Sequence, residues 1–218
     1  MSGHRKLIFG GLVDQLIAGY RRFRAGHWQD HSANYQRLSE RQDPDICVLS
    51  CCDSRVDPVS IFNADPGDMF VIRNVANLVP PYRAGAGLQG TSTAIEFAVR
   101  NLKVGLILVL GHARCGGVRA AIDAAVVEDA VFLKQWINLL NDAKARLDPH
   151  LANDPDHLEH ESIRVSLERL LSFPFVGDAV KSGQLKLAGA RFSIFDGKLE
   201  ILDQETGKFA AIDVDEPK

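Results

Sequence analysis

Three short runs of almost uninterrupted apolar residues constrain the fold of this chain most. They occupy residues 46–50, 69–73 and 104–110. Strands that face water on one side alternate apolar and polar positions, whereas continuous apolar strands are buried on both faces of a sheet. Helix-period segments separate the three runs, and this alternation is typical of a mostly parallel sheet covered by helices. We therefore predict an α/β fold with a mostly parallel central sheet flanked by helices.

Further patterns predict the remaining elements. Apolar spacing and helix-start residues predict helices at roughly 5–25, 30–41, 91–101, 116–127, 130–147 and 158–171. A last strand begins at 185–190, and the Asp-Gly pair at 196–197 predicts a hairpin, which gives the sheet a C-terminal antiparallel edge. We expect a single domain over 1–218, in which 1–41 form an N-terminal helical arm and 42–218 form the α/β core.

Composition narrows the class of partners. The formal net charge is -3 and the pI is about 6.2, which does not suit a protein that binds a phosphate backbone through a basic face. No run of about 18 apolar residues is present, so we expect no membrane partner. We see no export signal, and four cysteines in a chain of this length do not predict a disulfide framework. A cytoplasmic location follows as the expectation.

Two segments at the ends of predicted strands carry the chemistry. Cys51 starts the run Cys-Cys-Asp-Ser-Arg, and His112 and Cys115 flank an Ala-Arg pair after the most apolar strand. The carboxyl ends of parallel strands share one edge of the sheet, where ligands bind. Two thiolates and one imidazole suit Zn(II), and three protein ligands leave a fourth position open for catalysis. We predict one zinc per chain, with Cys52 pointing away from Cys51 if the strand persists.

Asp53 and Arg55 follow the first thiolate closely. The Asp53 carboxylate can accept a hydrogen bond from a zinc-bound hydroxide, and Arg55 can hold that carboxylate by a bidentate pair. If Asp53 left Arg55, it could instead bind the metal and close the site, so the pair would act as a switch. A zinc-activated water predicts a rate that rises toward alkaline pH.

Other histidines and glycines suggest weaker alternatives. His157 and His160, with Glu159 between them, could bind a metal, but the preceding Asn-Asp-Pro-Asp favours a solvated helix start. His27 and His31 are interpreted as surface residues. The glycines of the loop at 85–90 match no dinucleotide or phosphate-loop spacing, so we interpret that segment as a plain loop.

The motifs together resemble a β-class carbonic anhydrase, over residues of about 42–196. The resemblance is carried by Cys-x-Asp-Ser-Arg at 51–55, by Phe-Val-Ile-Arg-Asn-Val-Ala-Asn-Leu-Val-Pro-Pro-Tyr at 70–82 and by Gly-His-x-x-Cys-Gly-Gly at 111–117. It implies that zinc is held by Cys51, His112 and Cys115, and that Asp53 and Arg55 are the catalytic dyad.

The resemblance also implies a substrate pocket and an oligomer. The positions that match the family's substrate-binding residues are Gln42, Phe70, Val75, Phe97 and Gly116. Phe97 stands where some members have Tyr. In relatives the residues at the positions of Gln42, Phe70 and Phe97 come from the partner subunit, which implies a homodimer or a dimer of dimers.

The subtype implied is plant-type-like and non-allosteric. Val48 and Phe192 replace the Trp and Tyr that, with an Arg, bind inhibitory bicarbonate in the other subtype, while Arg73 is kept. We therefore expect an open zinc site at neutral pH and no bicarbonate inhibition of that kind.

The function implied is reversible hydration of carbon dioxide to bicarbonate and a proton by attack of zinc-bound hydroxide, the lyase reaction of a carbonate dehydratase. Two alternatives stay open at this point. The first is hydrolysis of a related heterocumulene, such as carbon disulfide or carbonyl sulfide. The second is a zinc-stabilised binding module or thiol redox sensor in which Cys51 and Cys52 are the reactive pair.

Overall fold

The computed structural model of the protein describes residues 11–85, 87–123 and 128–213. The chain divides into two compact units, with the boundary between Gln42 and Asp43. Among the described helices, none combines the length and the hydropathy that crossing a bilayer requires.

The N-terminal unit contains two helices, α1 (Leu12–Ala25) and α2 (His27–Leu38). Helix α1 lies inside the predicted range 5–25, of which residues 5–10 are not among the described ones. Helix α2 begins three positions before the predicted start at residue 30. Neither helix has a buried residue, and the apolar side chains of α1 are largely exposed. Tyr20, for example, exposes 61% of its surface.

The second unit is built on a six-stranded sheet within the described residues. Its strands are β1 (Ile46–Cys51), β2 (Met69–Asn74), β3 (Leu106–His112), β4 (Lys186–Phe192), β5 (Leu199–Leu202) and β6 (Phe209–Ala211). Their order is β2-β1-β3-β4-β5-β6. The first four strands are parallel, and β5 and β6 join as an antiparallel edge. This confirms the predicted fold class, although β6 was not predicted.

Helices cover the sheet and connect its parallel strands. They are α3 (Pro58–Ile61), α4 (Gly90–Glu96), α5 (Gly116–Ile122), α6 (Leu133–Ile137), α7 (Asn141–Arg146), α8 (Pro155–Ser172) and α9 (Pro174–Lys181). A 3₁₀ turn joins α6 to α7 and a π-helical turn, Phe97–Leu102, continues α4, so the predicted helices at 130–147 and 91–101 are not regular throughout. The helix predicted over 116–127 is shorter than expected, because α5 ends at Ile122 and Asp123 has an extended backbone; residues 124–127 lie outside the described ones.

Helix α8 begins three positions earlier than predicted because the N-cap side chain of Asp154 accepts the backbone N–H of His157 at 3.0 Å, and Pro155 fits the first turn. The short helix α3 has the same start, with Asp57 as the cap and Pro58 after it. Helix α9, which also starts with a proline, was not predicted. The starts of α3 and α8 are therefore set by Asp-Pro caps that the sequence does contain.

Two glycines allow α8 to lie close against the sheet. A Cβ on Gly111 of β3 would lie 2.8 Å from Cδ1 of Ile163, and one on Gly189 of β4 would lie 2.7 Å from Cγ2 of the same side chain. Real Cβ atoms do not approach so closely, so a larger residue at either position would push α8 outward. Ile163 is fully buried at this contact.

Candidate metal centre

Three buried side chains converge at the carboxyl edge of the parallel strands. Cys51 ends β1, His112 ends the adjacent β3, and Cys115 is the N-cap residue of α5. Their ligand atoms all lie within 4.8 Å of one another, and the two sulfurs are 4.0 Å apart. The structure thus brings together the three residues that the sequence predicted as metal ligands.

Local backbone conformation aims these side chains at one point. Arg114 has a φ of 58°, a left-handed conformation that turns the chain between His112 and Cys115. Ala76 also has a positive φ, 63°, and its N–H donates to Sγ of Cys51 at 3.4 Å. Non-glycine residues rarely adopt this conformation, and such strain is concentrated at functional sites.

His112 presents one free ring nitrogen to the cluster. Its Nδ1–H donates to the carbonyl of Ala113 at 2.9 Å, which fixes the orientation of the ring. Its Nε2 is buried, and among the described residues it has no hydrogen-bond partner. A buried polar atom without a partner is costly, and metal coordination would satisfy it.

The donor set fits zinc. In a tetrahedral site with Zn–S bonds of about 2.3 Å, two sulfurs lie about 3.8 Å apart, which is close to the observed separation of 4.0 Å between Cys51 and Cys115. The three ligand atoms are close enough together to hold one ion.

The pKa values of the two thiols, Cys51 and Cys115, are shifted in opposite directions. A hydrogen bond from Cys115 lowers the pKa of Cys51 to about 4 against the opposing effect of burial, and the N–H of Ala76 adds to the lowering. The pKa of Cys115 is raised, chiefly by the same contact with Cys51 and then by burial. One thiolate is therefore already favoured before a cation arrives, and a cation would favour the second.

Asp53 and Arg55 form the pair that the sequence predicted. Arg55 Nε donates to one carboxylate oxygen of Asp53 at 2.9 Å, and Nη2 donates to the other at 2.7 Å. These hydrogen bonds hold the pKa of Asp53 well below its usual range. Oδ2 of Asp53 lies 4.0 Å from Nε2 of His112, next to the ligand cluster. The catalytic role of the pair is taken up below as a proposal.

Arg73 shapes the segment that carries both Cys51 and Asp53. Its Nε donates to the carbonyl of Cys51 at 3.0 Å, and Nη2 donates to the carbonyls of Asp53 at 2.7 Å and Val56 at 3.0 Å. The sequence had named this arginine only through the family resemblance. Its position opposite Ser50 in the β1–β2 register explains how one side chain reaches three carbonyls of a tight turn.

Of the predicted substrate-binding residues, two lie next to the cluster within this chain. Val75 directly follows Asn74, which pairs with Cys51 across the β1–β2 register. Gly116 directly follows Cys115, and a Cβ there would meet no atom within 4 Å, so the space beside its backbone is open.

The other three predicted substrate-binding residues are Phe70, Phe97 and Gln42. Phe70 and Phe97 pack on each other with ring centroids 5.8 Å apart. Phe70 precedes Asn74 by four positions on β2, so it is about 13 Å of strand away from the level of Cys51. Gln42 is exposed and belongs to the N-terminal unit. Phe70 and Phe97 therefore do not join Val75 and Gly116 at the cluster of this chain's second unit.

Of the two subtype positions, Val48 lies on the opposite face of β1 from Cys51, whereas Phe192 contacts the buried clusters around both residues. Val48 is fully buried in a cluster that Phe192 contacts. Neither side chain has a polar group for an anion.

The expected solvated helix start holds for His157 but not for Glu159, and not for the half-buried His160, whose Nε2 lies 3.1 Å from the carboxylate of Glu200. The segment around His157 is indeed a capped, exposed helix start, because Asp154 accepts both the backbone N–H and the ring Nδ1–H of His157. Glu159, however, is only 2% exposed, and its carboxylate pairs with Arg191. The signal was available in its spacing, since Glu159 precedes the buried Ile163 by one helical turn and shares its face.

Cys52 is exposed, whereas Cys51 is buried. The Cys51 sulfur instead lies 4.0 Å from that of the buried Cys115. This arrangement favours the metal site over a Cys51–Cys52 redox pair.

The fold and the site together define an α/β protein with a catalytic type of metal site at its strand ends, and comparison with known proteins gives the family. The carbonic anhydrase family model matches residues 46–199. Beta carbonic anhydrase 5 of Arabidopsis thaliana, a chloroplastic protein, is 36% identical over 199 residues, which cover 88% of this chain and 64% of that protein. The chain thus spans slightly less than two thirds of that relative.

Solved structures agree with this assignment. The β-carbonic anhydrase CcaA superposes with a TM-score of 0.82 at 30% identity, covering 93% of this chain and 100% of that one. A tetrameric β-carbonic anhydrase from the ascomycete Sordaria macrospora has the same fold, with a TM-score of 0.72 at 24% identity over 91% of this chain and 98% of that one. The protein belongs to the β-carbonic anhydrase family.

Proposed function

We propose that the protein catalyses the reversible hydration of carbon dioxide to bicarbonate and a proton. The observation that carries the proposal is the buried Cys51–His112–Cys115 cluster, with Asp53 held beside it by Arg55. A zinc ion bound there would supply Lewis acidity and lower the pKa of a coordinated water.

The chain's own residues would position the reactants. Cys51, His112 and Cys115 hold the metal, and Nε2 of His112 is the ring nitrogen free to do so. Asp53 accepts a hydrogen bond from the attacking water and so fixes the direction of its lone pair. Arg55 keeps the carboxylate ionised and turned toward the cluster, because it occupies both oxygens from the other side.

A small apolar pocket would then bind the uncharged substrate. Val75 supplies an apolar wall, and the open space beside the backbone of Gly116 leaves room for carbon dioxide or bicarbonate, one oxygen of which its N–H would bind. We propose that Gln42, Phe70 and Phe97 complete this pocket in a second copy of the chain.

Exposed apolar surface supports such a homodimer. A groove of about 870 Å³ opens beside Val75, and Leu88 and Phe132 on its lining are fully or mostly exposed. Surfaces of this kind on a protein in water mark association sites. The Sordaria macrospora relative is tetrameric, and we propose a dimer or a dimer of dimers here. Sedimentation at several concentrations would measure the assembly, and a monomer with full activity would contradict it.

The free cysteines support a reducing compartment, and we propose the cytoplasm. Fractionation of cells that express the tagged full-length protein would test this. Exclusive recovery from an organelle would contradict it.

The reaction is tested by stopped-flow measurement of carbon dioxide hydration with a pH indicator. We expect Asp53→Asn to keep about one zinc per chain and to lose roughly 10²- to 10³-fold in kcat/KM, since one positioned polar contact to the reacting atoms is removed. The control is Asp196→Asn, which removes another Asp–cation pair, with Lys198, at an exposed turn. Unchanged activity of Asp53→Asn would remove that residue from the mechanism.

Removal of the metal tests the ligand set. Dialysis against a strong chelator should abolish hydration, and zinc alone should restore it, because three ligands without a closing fourth leave the metal accessible. Full activity in protein shown by elemental analysis to be metal-free would contradict the proposal.

A further inference from the structure

Glu159 of α8 is a buried carboxylate that the reaction described above does not use. It is 2% exposed, and both of its oxygens are occupied. Oε1 accepts the backbone N–H of Cys115 at 3.0 Å, and Oε2 accepts Nε of Arg191 at 2.9 Å. The carboxylate therefore links a proposed metal ligand to a fixed cation.

The contact with Cys115 replaces a helix cap that the local sequence lacks. Cys115 is the N-cap residue of α5, and the N–H of an N-cap residue is often accepted by a Glu or Gln at the third helical position. That position here is Val118, which has no acceptor. Glu159 supplies the acceptor from a different helix, 44 positions further along the chain.

The cation behind Glu159 is itself held firmly. Arg191 lies on β4, where it pairs with Gly111 of β3, immediately before the ligand His112. Its guanidinium also forms ion pairs with Glu200 at 3.0 Å and with Asp156. A buried guanidinium with three carboxylate partners has little freedom to move, so it defines where the Glu159 carboxylate lies.

Close packing brings Glu159 within reach of the loop. Gly111 and Gly189 let α8 approach the sheet at Ile163, one helical turn after Glu159. Residues with a side chain at either glycine would lift this turn of α8 away from β3. The fold therefore brings the carboxylate to the backbone of Cys115 through specific packing rather than through a mobile surface contact.

We propose that Glu159 is a positioning residue for the metal, which fixes the backbone of Cys115 so that its sulfur points at the ligand cluster. The inference rests on the proposed ligand set. Without this anchor, the turn at Arg114, which has a strained φ of 58°, would be free to relax and to carry Sγ away from the other two ligand atoms.

The expected effect is on metal affinity. Loss of a group that orients a metal ligand typically lowers affinity about 10- to 100-fold. We therefore expect Glu159→Ala to bind zinc about 10- to 100-fold more weakly than the wild type and to release it faster. Glu159→Gln retains an oxygen that can accept the N–H of Cys115, and its affinity should lie between the two.

The experiment measures zinc affinity by competition with a chromophoric chelator, together with the cobalt–thiolate absorption of the Co(II)-loaded proteins. The control is Glu168→Gln on the same helix, which removes one negative charge and an ion pair with Arg146. It should bind zinc within about twofold of the wild type. A distorted cobalt–thiolate band in the Glu159 variants, and not in the control, is the sign of a displaced ligand, which a loss of stability alone would not produce.

The outcomes separate this inference from the proposed function. If Cys115→Ser retains wild-type zinc affinity, the ligand set itself is wrong. If Cys115→Ser loses zinc while folded Glu159→Ala and Glu159→Gln bind it like the wild type, only the positioning role is overturned. Should Glu159→Ala fail to fold, Glu159→Leu decides, because leucine is of similar size but offers no acceptor for the N–H of Cys115, and wild-type affinity and cobalt absorption in that variant overturn the inference.

Discussion

Replacement of Arg73 by alanine tests whether one side chain holds the segment between the first ligand and the dyad in shape. The guanidinium donates three hydrogen bonds, to the carbonyls of Cys51, Asp53 and Val56, at 2.7–3.0 Å. Alanine has no side-chain donor for these carbonyls, so they must either accept hydrogen bonds from water or the segment must change its conformation.

The magnitude follows from the number and exposure of these bonds. A net contribution of about 1 kcal/mol for each hydrogen bond gives about 3 kcal/mol for the three. The side chain is 31% exposed, so water can replace part of this contribution. We expect Arg73→Ala to lower the free energy of unfolding by about 2–3 kcal/mol, and Arg73→Lys by less, because an ammonium group cannot point at all three carbonyls.

Activity should fall as well. The same three bonds fix the backbone of Asp53, and a displacement of about 1 Å in a positioning group can cost about 100-fold in rate. We therefore expect the loss of kcat/KM for carbon dioxide hydration to approach that of Asp53→Asn, although the Asp53 side chain is unchanged.

Urea denaturation at one fixed protein concentration measures the first effect, since association can add to apparent stability. The control is Lys198→Ala, which removes a surface cation that pairs with Asp196 at 3.2 Å and is 64% exposed. It should change stability by about 0.5 kcal/mol or less. If Arg73→Ala is as stable and as active as this control, the three hydrogen bonds do not hold the segment, and the reasoning is refuted.

Two further predictions concern the ionisable groups. Arg55 lowers the pKa of Asp53, so the pair stabilises the folded state fully above the ordinary Asp pKa of about 4, and this stabilisation is lost as the pH falls further. The difference in unfolding free energy between the wild type and Asp53→Asn should therefore shrink from pH 5 to pH 3. A constant difference would contradict the pairing. In the zinc-loaded protein, Cys52 should be the thiol that reacts rapidly with an aromatic disulfide reagent, because Cys47 is buried with its pKa raised to about 12. Loss of zinc in Cys52→Ser would show that Cys51 had been chosen wrongly.

The features that were predictable from sequence depend on short segments. The apolar runs at 46–50 and 104–110 identify β1 and β3, and the polar residues that end each run identify the ligands. Their convergence followed from one general property of parallel sheets, that the carboxyl ends of neighbouring strands share an edge. No knowledge of the register was needed for that step.

The features that were missed depend on packing between distant segments. Glu159 belongs to a polar helix start, and its one local signal is the spacing of one helical turn from Ile163, the side chain by which α8 approaches β3 at Gly111. Arg73 donates to three carbonyls of a turn whose shape the sequence does not specify. Strand β6 has only three residues, Phe209–Ala211, and is defined by pairing with β5 rather than by a pattern of its own.

The separation of the ligands along the chain has a consequence for biogenesis. Cys51 and Cys115 are 64 positions apart, and they meet only where β3 has taken its place beside β1. A ribosome-bound chain that has just exposed Cys51 offers a passing ion a single thiol, and His112 with Cys115 add an incomplete chelate later. Tight metal binding therefore follows the pairing of β3 with β1. A chain in which these strands do not pair lacks the complete ligand set, so a bound ion does not stabilise its misfolded state.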